Sequence, residues 1–108
     1  MNTKREHLAN FNLAGATYYE LPLCFQKLQI GTFLQAKLDP ENKFDARAVV
    51  VYFEENKLGY IPKSENRIFF KLLSMGYENT FELRIQQMDA TEHPENQIRI
   101  VAHLIEKI

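Results

Sequence analysis

The chain has 108 residues, 45% of them apolar, with four glycines, four prolines and one cysteine. That length suits one domain with a core of its own, and the composition argues against a disordered chain. Thirteen Lys and Arg stand against fourteen Asp and Glu, a net charge of −1. This excludes a globally basic binder of nucleic acid and leaves that role only to a local patch. Cys24 alone makes neither an internal disulfide nor a thiolate metal cage, and it fits a reducing compartment.

Residues 1–10 read as a polar N-terminal arm, and residues 11–108 as a single domain. Lys4 and Arg5 are followed by Glu6, His7, Asn10 and Asn12 rather than by the apolar stretch of a signal peptide. No apolar run approaches the roughly 20 residues of a membrane helix. A soluble, cytoplasmic protein without a membrane partner is therefore expected.

Short runs of strand character follow, separated by turn signals at Gly15, Pro22, Gly31, Asp39–Asp45, Glu54–Asn56 and Gly76. The first two candidates are Phe11–Tyr19 and Thr32–Leu38. Ala48–Phe53 is apolar throughout, as a strand covered on both faces would be. Lys57–Ile61 comes next, and then one helix from about Glu65 to Met75. Ser64 is placed to cap that helix and Gly76 to stop it in the left-handed conformation. Ile68, Phe69, Leu72, Leu73 and Met75 form its apolar stripe, opposite Asn66, Arg67 and Lys71. In Thr80–Met88, Phe81, Leu83 and Ile85 alternate with polar residues; in Gln97–Ile105, Ile98, Ile100, Ala102 and Leu104 take the apolar positions. The pattern predicts a mainly β (α+β) domain with one or two helices, built as a small, strongly bent β-barrel that the helix plugs or flanks.

The segment from Leu38 to Pro62 is more specific. It reads DPENKFDARAVVVY and then LGYIP, with LAGATYYE upstream. The three blocks, in this order and spacing, resemble the HIRAN domain over roughly residues 11–77. That module occurs beside SWI/SNF-type DNA-repair helicases and as short stand-alone bacterial proteins. The resemblance implies an OB-like barrel that binds single-stranded DNA and captures a free 3′-hydroxyl end. A nuclease or helicase acting in trans would then be a natural partner.

The matching residues have physical roles that suit such a ligand. Tyr18 and Tyr19 fall at the family's paired aromatic position; neighbours on a strand face opposite sides, so one of the two is available for base stacking. The alternative is that both are ordinary sheet tyrosines. Asp45 follows Phe44 where the family has a carboxylate after an aromatic. A carboxylate accepts a hydrogen bond from a 3′-hydroxyl and repels a 3′-phosphate, and Asn42 could donate to the same end. Equally, Asp39, Asn42 and Asp45 are turn-formers that tie a loop together. Lys63 takes the place of a basic residue, and with Lys57, Arg67 and Lys71 it gives residues 57–71 a net charge of +3. The other reading of that run is a solvated helix face. Three positions depart from the DNA-end-binding relatives: Thr17 stands for an arginine, Tyr60 for a histidine and Phe44 for a tyrosine. They predict an affinity of micromolar or weaker.

No phosphate-binding glycine loop is present, and His7, His93 and His103 form no metal-ligand spacing. Cys24 has no histidine near it in sequence and reads as a buried thiol. Neither catalysis nor a cofactor is expected. Three readings remain: a nucleic-acid module with a groove at Tyr18, Tyr19, Phe44 and Tyr60 rimmed by Lys63 and Arg67, a protein-interaction module that has lost that groove, or a small-molecule or metal enzyme, which would need a deep pocket with convergent titratable groups.

Overall fold

A computed structural model describes residues 4–16 and 19–106. Among the described residues six antiparallel strands form one bent sheet: β1 (Arg5–Asn12), β2 (Phe33–Leu38), β3 (Val49–Phe53), β4 (Asn56–Tyr60), β5 (Phe81–Met88) and β6 (Ile98–Ile105). Their spatial order is β1-β6-β5-β2-β3-β4. Helices α1 (Leu21–Cys24) and α2 (Asn66–Ser74) accompany them. Strands β2 to β6 and α2 all lie within one residue of the bounds that periodicity predicts. Val49, Val50 and Val51 are all buried, as the unbroken apolar run of β3 requires.

The sheet curls without closing. The chain just past β1 meets the far edge strand at one point, where Ala14 and Tyr60 exchange backbone hydrogen bonds of 2.9 and 2.8 Å. The remainder of β1 and β4 is not paired together, so the barrel is open. Gly59 permits this contact: a Cβ there would lie 2.4 Å from the Ala14 carbonyl oxygen, closer than any side chain tolerates.

Helix α2 lies across the concave face. Its Phe69 is fully buried and meets Phe11 and Phe81 edge to face, with ring centroids 5.8 and 5.3 Å apart. Leu13, Leu34, Leu58, Leu83, Ile85 and Ile100 complete the core around it. The helix stops as its sequence predicts. Gly76 takes φ 80°, and the Gly76 and Tyr77 amides donate to Leu73 and Leu72 in a Schellman turn.

Four local expectations need correction. The first strand begins at Arg5, inside the expected polar arm of residues 1–10, and ends at Asn12, because β6 offers residues 5–12 an antiparallel partner that polar side chains do not prevent; residues 17 and 18 of the expected Phe11–Tyr19 run lie outside the described residues. Ser64 does not cap α2; Glu65 occupies the N-cap and makes no side-chain cap bond. Asn66 lies in the core rather than on the solvent face, and Ile68 and Met75 are exposed while Phe70 packs against the core in their stead. The Leu21–Cys24 turn of helix, extended by a 3-10 turn over Phe25–Lys27, was hidden by Pro22, which is harmless in a first helical turn.

Candidate functional site

The loop between β2 and β3 is built by its own polar residues. Asn42 Oδ1 accepts the backbone N–H groups of Phe44 and Asp45 at 2.8 and 2.9 Å. Asp45 Oδ1 accepts the Arg47 N–H at 2.9 Å, while Asp45 Oδ2 accepts the Asn66 side-chain amide at 2.9 Å. Asn42 and Asp45 thus serve the loop as turn-formers do. Each Asp45 oxygen still has a second acceptor position.

A polar cluster sits beside this loop. Tyr60 Oη donates to Asp39 Oδ2 at 2.6 Å, and the Asn42 amide donates to the same oxygen at 3.2 Å. Lys57 Nζ donates to Tyr60 Oη at 3.0 Å. The Lys57 ammonium also lies over two rings, 4.3 Å from the Tyr19 centroid and 4.7 Å from the Tyr60 centroid. Those rings meet edge to face at 5.7 Å. A cation against two aromatic faces with a carboxylate behind it is a compact, well-satisfied arrangement.

The charge states follow from these contacts. The Tyr60 hydroxyl, and then the Asn42 amide, hold the Asp39 carboxyl below its ordinary range, so it is ionised. Burial and the bond to Asp39 push the Tyr60 hydroxyl up, so it keeps its proton. Burial alone would lower Lys57, but the Tyr60 oxygen, the Tyr19 hydroxyl and Asp39 outweigh it and raise its pKa. The ammonium is therefore a permanent charge at neutral pH.

An apolar pocket of about 240 Å³ adjoins the cluster, walled by Ala14, Ala48, Ile61 and Pro62 and edged by Asn42, Asp45, Tyr60, Phe44 and Lys63. It is smaller than the roughly 300–1,000 Å³ of pockets for drug-sized ligands, a size for one ring-bearing unit. Phe44 stands at its mouth, 88% exposed. Lys63, also at its edge, donates to the Phe44 carbonyl at 3.2 Å.

Of the residues singled out from sequence, Asn42, Phe44, Asp45, Tyr60 and Lys63 converge on this pocket. Tyr19 stands next to it through Tyr60 and Lys57. Arg67 does not join them; it borders a separate depression on α2 with Ser64, Ile68 and Lys71. Tyr18 and Thr17 lie outside the described residues. Two members of the cluster were not assigned a site role from sequence. Lys57 precedes Tyr60 by three residues, a spacing that puts side chains on opposite faces of a regular strand. The register shift between Val51 and Tyr52 inserts an extra residue in β4 and brings both to one face. Asp39 read only as a turn residue, since nothing local reveals a hydroxyl donor 21 positions away. Among the described residues no group of three His, Cys, Asp or Glu side chains is placed to hold a metal ion.

Comparison with known proteins agrees with this architecture. The family model for the HIRAN domain matches residues 7–105. Among solved structures, a crystal structure of a protein from Lactobacillus plantarum is similar in fold, with a TM-score of 0.80 and 18% identity, covering 98% of this chain and 100% of that one. No curated protein matches the sequence significantly.

Proposed function

The chain belongs to the HIRAN domain family, a membership that supports a nucleic-acid-binding role, and on that premise we propose that it binds the 3′ end of single-stranded DNA at the pocket beside Tyr60. The observation that carries this reading is the pocket's composition. An apolar floor, an open aromatic ring at Phe44, an ammonium at Lys63 and the second acceptor positions of Asp45 surround one small cavity. A terminal base fits the apolar floor and stacks on Phe44. The 3′-hydroxyl donates to Asp45, whose charge repels a 3′-phosphate. Lys63 neutralises the preceding phosphate. The Lys57, Tyr60 and Asp39 cluster, net neutral, fixes the Tyr60 wall of the pocket. Such a module recognises damaged or stalled DNA, working beside a nuclease or helicase in trans.

The test is titration of short oligothymidylates bearing either a 3′-hydroxyl or a 3′-phosphate, at low and at moderate salt. Preference for the hydroxyl end, with affinity falling as salt rises, supports the reading. Equal affinity for both ends removes the role of Asp45.

A further inference from the structure

Strand register puts a second set of aromatic rings on the same face of the sheet as Lys57. Lys57 stands directly opposite Tyr52 across β3 and β4, and Tyr52 stands opposite Gln35 on β2. Directly opposed residues project from one face, so these three share it. Phe33, two positions before Gln35, shares it as well and stands opposite Arg84 on β5. Each ring in this series carries a cation. Lys57 covers Tyr19 and Tyr60, Lys37 Nζ lies 4.8 Å from the Tyr52 centroid, and the Arg84 guanidinium lies 4.3 Å from the Phe33 centroid. Phe33 is 58% exposed despite its place inside a six-stranded sheet. Arg84 shares Glu82 with Arg5, at 3.2 and 2.8 Å.

A single exposed ring is unremarkable on a protein surface. A row of rings, each backed by a cation and each one strand further from the end pocket, is what an unpaired strand of nucleic acid requires. Bases stack on rings with little regard to sequence, and the cations face the phosphates between them. A cation on one side of a ring leaves the other side, or its edge, open to a base.

We propose that this face is a track for single-stranded nucleic acid, on which nucleotides 5′ to the captured terminus stack on Tyr52 and then on Phe33. The track rests on the reading of the Tyr60 pocket as an end site and adds the path by which the strand leaves it. Tyr52 and Phe33 are diagonal neighbours on adjacent strands, about 7–8 Å apart at that relation, near enough for consecutive bases of an extended strand.

Calorimetric titration of the full chain with unlabelled oligothymidylates of two, four and six nucleotides, all with free 3′-hydroxyls, tests it. The dinucleotide reports the end pocket and the hexanucleotide adds the track. Affinity is expected to rise at least about fivefold for each added stacking position. The Phe33→Ser, Tyr52→Ser double variant should lose that rise and bind the dinucleotide as the unaltered chain does. Lys37→Glu, a change at an exposed side chain, should cut hexanucleotide affinity at least about fivefold and spare the dinucleotide, which keeps the test valid if the double variant folds poorly. Dinucleotide binding with no gain on lengthening overturns the track and leaves the end site standing. A gain that survives in the variants overturns it as well, and failure of every oligonucleotide to bind overturns track and end site together.

Discussion

Asn66, in the first turn of α2, is 1% exposed and donates its side-chain amide to Asp45 Oδ2 at 2.9 Å. This bond fastens the loop after β2 to the helix that fills the sheet, so the pocket and the core share a part-buried polar contact. Replacing Asn66 with Ala leaves a cavity and strips a charged acceptor of its donor. A loss of about 1.5–3 kcal/mol is expected for a hydrogen bond to a charged group, a fall in melting temperature of roughly 4–8 °C per kcal/mol for a domain near this size. A melting curve that does not shift would mean that Asp45 finds solvent at no cost.

Gly59 offers a test of the open barrel. Its missing side chain lets the Ala14 carbonyl approach, and an added Cβ would also lie 3.0 Å from Leu13 Cγ. Because a backbone atom cannot rotate away, Gly59→Ala should destabilise the fold by about 1–3 kcal/mol. The Ala14 and Tyr60 amides should then lose hydrogen-exchange protection. Unchanged urea stability would show that the two edges separate freely.

Acid sensitivity follows from Asp39. Hydrogen bonds from Tyr60 and Asn42 lower its folded pKa, so the stability it contributes is present above the unfolded value of about 3.9 and is lost as pH falls through the lowered folded value. Tyr60→Phe removes the larger of the two causes. Urea stability measured from neutrality into acid should therefore decline less steeply for the variant than for the unaltered chain; parallel declines would refute the pairing. On the alkaline side Tyr60 itself, raised by burial and by Asp39, contributes stability that is full below about pH 10 and is lost as pH climbs through its folded value.

Phe44 separates fold from function. Its ring is almost wholly solvated, so Phe44→Ala should change stability by no more than about 0.5 kcal/mol. Oligonucleotide affinity, in contrast, should drop about fivefold or more through the loss of one stacked base. Retained affinity would remove the ring from the site.

Lys63 is tested by salt. If its ammonium neutralises one phosphate, Lys63→Ala should reduce the slope of log K against log salt by about 0.7, the value for a single strand. An unchanged slope would confine Lys63 to its bond with the Phe44 carbonyl.

Much of the architecture is written in local pattern. Alternation in Phe81–Ile85 and the unbroken apolar run of Val49–Val51 identify strands because a side-chain period of two, or its absence, reports directly how many faces are covered. Gly76 ends α2 because left-handed backbone favours glycine. The pocket residues Asn42, Phe44, Asp45, Tyr60 and Lys63 were legible through the order and spacing of their blocks. Arg67 was grouped with them by charge alone, and helical geometry turns it elsewhere.

What the sequence by itself determined, then, is strands β2 to β6, helix α2 and the loop chemistry, all of which depend on neighbours a few positions apart. Only the tertiary structure decided that Asn66 enters the core, that a bulge turns Lys57 onto the face of Tyr60, that Asp39 meets a hydroxyl from another strand, and that residues 5–12 find β6. Each of these depends on a partner at least 21 positions away or on a one-residue shift of register, and strand register is settled by the whole sheet burying one face rather than by any short stretch of chain.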